Sequence, residues 1–167
     1  VEITKMFENS EKVTLAVSDK KILFSFDNTL VASRLINGDY PNTKNIIPKT
    51  FNYFLEVNSL ELISAMERVS LLSVERENVV KITMTEDALE VASKSAQVGS
   101  ANEKLSTFQF SGDRLEMSFN SDYVVAAIRA IKTEDVTIAF IGEMKPFVIK
   151  NSKDDSVVQL VTPVRTY

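Results

Sequence analysis

The chain has 167 residues, 44% hydrophobic and 25% charged, enough for one ordinary domain or two small ones and unlike a disordered or collagen-like chain. Its formal charge of −4, from 19 basic and 23 acidic residues, argues against gripping nucleic acid by charge over the whole surface and leaves only a local basic strip open. It contains neither Cys nor His, which excludes disulfides, thiolate zinc sites and Cys nucleophiles and removes the commonest general base and metal ligand.

The chain opens at Val1 without Met, and Ile3, Met6 and Phe7 already show helical spacing, as expected of a fragment cut inside or just before a helix. Period-two alternation follows at Val13, Leu15 and Val17, then Ile22, Phe24 and Phe26, then Leu30 through Leu35. Ser18-Asp19 and Asp27-Asn28 separate these runs as turn residues, so they read as an antiparallel three-strand meander. Asn37-Gly38-Asp39-Tyr40-Pro41, continuing to Pro48, is the one plausible linker.

Phe51 to Val57 reads as a strand, and Asn58 with Glu61 is a capping-box-like helix start. Leu62, Ala65, Met66 and Val69 then form one apolar stripe. Val80, Ile82 and Met84 make a strand, Glu86-Asp87 a turn, and Leu89 with Val91 its return. Residues 95–104 are polar and read as loop. Phe108 and Phe110, then Leu115, Met117 and Phe119, flank the turn Ser111-Gly112-Asp113. A third helix takes Asn120 as N-cap, with Tyr123, Val124, Ala127, Ile128 and Ile131 on its apolar face. Asp122 at its start and Lys132 at its end match the helix dipole. Val136 to Phe140, Phe147 with Ile149, and Val157 to Val161 complete another three-strand meander. No apolar run reaches the roughly 18 residues of a membrane helix, no signal-peptide pattern opens the chain, and the lack of Cys fits a cytoplasmic address.

The two meanders resemble each other. One begins Val13-Thr14-Leu15-Ala16 and the other Val136-Thr137-Ile138-Ala139, each after a helix and a charged pair, and Phe24 and Phe147 each stand eleven residues after the first Val. Two unrelated β-runs sharing a tetrapeptide remain the alternative. The expected class is α+β, built of repeated units of a helix followed by antiparallel strands.

A search for chemistry returns little. Gly38, Gly99, Gly112 and Gly142 stand too far apart for a phosphate-cradling loop. Ser18-Asp19-Lys20-Lys21 matches S-x-x-K, but that chemistry needs the Ser to open a helix, and here it falls in a predicted hairpin turn. Glu86-Asp87, Glu134-Asp135 and Asp154-Asp155 are the available acidic pairs for a divalent cation, and all read as solvated turn residues. No catalytic residue, metal site or cofactor is expected. Lys5, Lys12, Arg68, Arg129 and Lys132 lie near helices and read as solvated faces unless folding gathers them. Pro41 with Ile46 and Ile47, and the last strand with Pro163 and Val164, are apolar groups outside helices that can floor a shallow peptide groove.

Three stretches carry a specific resemblance. Ser33-Arg34-Leu35-Ile36-Asn37-Gly38-Asp39-Tyr40-Pro41, continuing to Ile47-Pro48-Lys49, resembles the domain-joining segment of bacterial beta sliding clamps, the DNA polymerase III beta subunits. Phe119-Asn120-Ser121-Asp122-Tyr123 resembles that family's F-N-x-x-Y helix start, and Val161-Thr162-Pro163-Val164-Arg165 its C-terminal ending. The motifs fall in the family's order and roughly its spacing, and the similarity covers essentially the whole chain. The resemblance implies a DNA-clamp fold, with residues 1–48 as the second half of a central domain and 49–167 as a complete C-terminal domain. It implies a non-enzymatic processivity factor for DNA replication, a homodimeric ring in full length that holds duplex DNA weakly and topologically. Polymerase, clamp-loader and repair proteins would dock Q-L-x-L-F-like peptides in a groove between the two domains.

Carried over by position, the groove would use Pro41, Asn45, Ile46, Asn120, Tyr123, Met144, Pro146, Leu160, Thr162, Pro163, Val164 and Arg165. Asn45 departs from the Arg of some members, and Glu77 falls near a position where some carry an aromatic. Leu71 and Leu72 match the ring interface, with core residues ending a helix as the other reading. Lys5, Arg68, Arg129 and Lys132 would face DNA. A small-molecule or metal-dependent enzyme and a generic α+β interaction domain are the competing classes. The missing His, Cys and glycine loops speak against the first, and the three ordered motifs against the second.

Overall fold

A computed structural model of the chain describes residues 2–40, 42–73, 78–95 and 97–165. They form two units, Val1–Asn42 and Thr43–Tyr167. The first holds a short helix α1 (Glu2–Met6) and strands β1 (Thr14–Val17), β2 (Lys21–Phe26) and β3 (Thr29–Arg34), paired antiparallel in chain order. The expected meander is there, and Ser18 sits in its first turn, donating its N–H to the Lys21 carbonyl at 2.9 Å. Cross-strand register puts Leu15 beside Phe24 and Phe24 beside Val31, with Val17 beside Ile22, so one face is apolar. Phe7 covers part of it, its ring 6.3 Å from Phe24 and 5.6 Å from Phe26. Among the described residues of this unit only Phe26 is buried, while Leu15 and Val17 stay 57% and 67% exposed.

The second unit runs β4 (Tyr53–Asn58), α2 (Ser59–Ser70), β5 (Val79–Met84), β6 (Leu89–Ser95), β7 (Gly99–Leu105), β8 (Phe108–Ser111), β9 (Leu115–Asn120), α3 (Ser121–Ile131), β10 (Asp135–Phe140), β11 (Phe147–Asn151) and β12 (Asp154–Val161). These make two sheets, β12-β11-β10-β4-β8 and β7-β6-β5-β9. The α+β class is as expected. The loop expected over 95–104 is instead a hairpin arm. β7 pairs along its whole length with β6, from Leu89 opposite Leu105 to Ser95 opposite Gly99. It reads as loop because an edge strand is held by its backbone ladder and needs little apolar alternation.

The turn at Ser111-Gly112-Asp113 does not close a hairpin, since β8 pairs with β4 and β9 with β5. It passes the chain from one sheet to the other. Gly112 has φ +132°, and a Cβ there would come within 2.5 Å of Tyr53 Cδ1, so the turn requires glycine.

Both helices start as the sequence indicates. Asn58 Oδ1 accepts from the N–H groups of Leu60 and Glu61, and Asn120 Oδ1 from those of Asp122 and Tyr123. Glu61 does not close a capping box. Its carboxylate accepts instead from the Ser106 N–H at 3.0 Å, tying α2 to the β7–β8 turn. The stripe on α2 is buried as expected, but Tyr123 is not on the apolar face of α3. It is 66% exposed, and Val125 takes the buried place.

Each helix packs on strands of both sheets, α2 on β4 to β7 and α3 on β9, β11 and β12. At their junction the Phe119 ring lies 5.7 Å from Phe147, which lies 5.2 Å from Phe140, all three fully buried. The two meanders share strand order but not register. Leu15 faces Phe24, whereas Ile138 faces Ile149, two residues beyond Phe147, so the two phenylalanines are not equivalent.

Truncating the sheet junction should be costly. Phe119→Ala removes a buried ring that both sheets contact, and the expected loss is about 3–5 kcal/mol. Urea unfolding should show a lower midpoint at unchanged slope; a midpoint equal to the parent's would mean that the junction does not hold the sheets together.

Candidate functional site

The chain leaves β12 at Val161 and continues as a tail through Thr162, Pro163, Val164 and Arg165. The Val164 N–H donates to the Ser118 carbonyl on β9 at 2.7 Å, which pins the tail to the outer strand of the four-stranded sheet. A hollow opens on either side. One, of about 430 Å³, brings together Met144, Val164 and Arg165 with Lys81, Glu116 and Met117. The other, of about 330 Å³, lies between α3 and β12 and is lined by Tyr123, Ala126, Ala127, Leu160 and Thr162.

Local structure explains the placement. Tyr123 lies in the first turn of α3, on the flank toward β12. Leu160 stands opposite Val148 near the end of β12. Met144 is half-exposed in the turn between β10 and β11, where the Lys145 N–H donates to the Gly142 carbonyl. Six of the twelve expected groove residues therefore line the two hollows. Asn120 adjoins them with its side-chain oxygen committed to the α3 cap. Pro146 and Pro163 are half-buried beside them in sequence. Asn45 ends a 3-10 turn, Thr43–Asn45, and Ile46 follows it, both exposed and not among the described lining of either hollow. Pro41 and Glu77 lie outside the described residues.

Sequence reasoning missed the charged wall. Lys81 Nζ approaches Glu116 at 2.5 Å, and Arg114 donates to the same carboxylate. These contacts, the Arg114 hydrogen bond first and that of Lys81 second, hold Glu116 below the ordinary glutamate pKa. The signal was present in the alternation: Lys81 and Thr83, and Glu116 and Ser118, occupy the outward positions of β5 and β9, and register makes Lys81 and Glu116 diagonal neighbours.

The expected interface and DNA-facing residues lie elsewhere. Leu71, at the C-cap of α2, is 81% exposed, which rules out the core reading for it, while Leu72 is half-buried. Arg68 grips Glu103 through Nε and Nη2, both at 2.5 Å, and Arg129 Nη2 meets Glu67 at 2.7 Å. The hydrogen bond from Arg68 pulls Glu103 below its ordinary pKa. Lys5 is exposed on α1, and Lys132 is exposed at the left-handed C-cap of α3, with no ion pair among the described residues. Folding thus pairs both helix arginines with carboxylates.

Comparison with known proteins gives one answer. Residues 44–165 match the family model for the C-terminal domain of the DNA polymerase III beta subunit, and residues 1–42 match that for its central domain. The beta sliding clamp of Staphylococcus aureus is 36% identical over 163 residues, covering 97% of this chain and 43% of that protein. That of Bacillus subtilis is 35% identical, covering 99% and 45%. A crystal structure of the Bacillus subtilis DNA polymerase sliding clamp superposes with a TM-score of 0.84 at 34% identity, over 99% of this chain and 44% of that one. A Bartonella birtlesii sliding clamp bound to griselimycin gives 0.87 at 27% identity, over 99% and 45%. The chain thus spans less than half the length of these relatives.

The charged wall should show in acid. A carboxylate whose folded pKa is depressed stabilises the fold above its unfolded pKa, and that contribution disappears as pH falls through the folded value. Glu116 is partly exposed, so solvent screening keeps the effect small. Glu116→Gln should lower the melting temperature slightly near neutrality and leave a shallower loss on acidification below the ordinary glutamate range. Melting curves recorded across that range check this, and parallel acid limbs for variant and parent would contradict it.

Proposed function

The chain belongs to the family of bacterial beta sliding clamps, the DNA polymerase III beta subunits, and on that premise we propose that it is the peptide-docking portion of a DNA replication processivity factor. It does no covalent chemistry. Residues 1–48 are read as the second half of a central domain and 49–167 as the C-terminal domain. The whole protein is read as a homodimeric ring that encircles duplex DNA in the bacterial cytoplasm and tethers polymerase, clamp-loader and repair proteins through Q-L-x-L-F-like peptides.

One observation carries the docking reading: residues from α3, the β10–β11 turn, β12 and the tail converge on the two hollows beside the pinned tail. Apolar Met144, Leu160 and Val164 suit Leu and Phe side chains, and Tyr123, Thr162 and Arg165 offer polar contacts. Asn120, Pro146 and Pro163 join this assignment as neighbours, and Pro41, Asn45 and Ile46 by resemblance alone. Two further observations support the ring. Leu71 stands exposed at the end of α2, which packs against β7, and β7 is an edge strand among the described residues. The open apolar face of the first unit suits half of a domain.

A Q-L-x-L-F-type peptide should bind this chain measurably. Met144→Asp places a carboxylate where a Leu or Phe should enter, a burial that costs more than about 1.4 kcal/mol without a partner, or at least tenfold in affinity. Calorimetry should show the loss with an unchanged far-UV spectrum, and Lys94→Ala, at an exposed site on β6, should bind like the parent. Equal affinity for Met144→Asp and Lys94→Ala would refute the groove.

A further inference from the structure

α2 and α3 lie side by side and turn toward solvent the residues opposite their buried stripes. Successive helical residues are about 100° apart, so Glu67 and Arg68 emerge on opposite sides of the outward Ser64. A valley of about 300 Å³ between the helices is lined by Glu67 from α2 and by Asp122 and Arg129 from α3. Arg129 crosses it to Glu67 at 2.7 Å, and Arg68 forks onto Glu103 of β7 on the other flank. Asp122 accepts from Asn78 Nδ2 at 2.7 Å. The two helices hold Glu61, Glu67 and Asp122 against Arg68 and Arg129, so they offer phosphate no net positive charge even when Lys132 at the α3 C-cap is counted.

We propose that Glu67 and Glu103 are restraint residues toward DNA: by pairing with Arg129 and Arg68 they cancel the charge this helical face would present to phosphate, and so keep its hold on duplex DNA weak enough to slide. The proposal rests on the reading that α2 and α3 face DNA. Exposed ion pairs are individually weak and exchange readily, so they do not lock the arginines in place. Their effect is exchange without gain, since an arginine that reaches a phosphate must leave a carboxylate. Once the carboxylate is neutral, the same contact releases a counterion with nothing given up, adding about 0.9 per phosphate to the salt slope.

The test titrates this chain against a labelled short duplex by fluorescence anisotropy over a series of salt concentrations. The double variant Glu67→Gln/Glu103→Gln should bind about tenfold tighter at low salt, with a slope steeper by up to about 2. Adding Arg68→Gln and Arg129→Gln should abolish the gain. Glu86→Gln/Asp113→Asn makes the same change in net charge at exposed turns and should leave binding near the parent's. Thermal melts confirm folding, and Glu67→Gln alone serves if the double variant unfolds, with about half the change in slope. If Arg68→Gln and Arg129→Gln weaken parental binding while Glu67→Gln/Glu103→Gln leaves it unchanged, the helices face DNA and the restraint is wrong. The restraint is equally overturned if the turn control binds as tightly as the double variant. No effect of any helix substitution would sink both the restraint and the DNA-facing reading.

Discussion

The contact between Phe119 and Phe147 organises the second unit. It joins the last residues of β9 to the first of β11 and so fixes the two sheets to each other. Asn120, next in the chain, caps α3, so the junction also decides where that helix begins and where Tyr123 emerges. Phe147 pairs with Val161 and Val148 with Leu160, so the same junction sets the height of β12 and the point where the tail departs. Val164 then returns to Ser118, one residue before Phe119. The hollows are surface consequences of one aromatic joint, which is why residues distant in sequence meet there.

The two units differ in how they satisfy the hydrophobic effect. The second has a continuous core from Leu55 to Val161, in which both helices straddle both sheets. The first has one small sheet and a five-residue helix, too little to close over its own apolar face. Leu15 and Val17 remain exposed. Charged chemistry is confined to surfaces throughout the described residues: the ion pairs are solvent-accessible, and the perturbed carboxylates owe their shifts to hydrogen-bonding neighbours more than to burial.

The amino-acid sequence by itself determined whatever depends on neighbours along the chain. Apolar patterning located β1 to β6 and β8 to β12. Asn58 and Asn120 marked both helix starts because a cap bonds to N–H groups two and three residues on. The family motifs drew attention to Tyr123 and the tail, and position within the family to Met144 and Leu160. Tertiary structure alone decided the rest. β7 is a strand because β6 lies beside it, and Gly112 bridges two sheets because β8 and β9 take different partners. Lys81 meets Glu116 only through the register of β5 on β9. Arg68 and Arg129 read as open cations, yet each finds a carboxylate 35 and 62 residues away. Pairing at that range is set by packing geometry, which no local pattern of residues encodes.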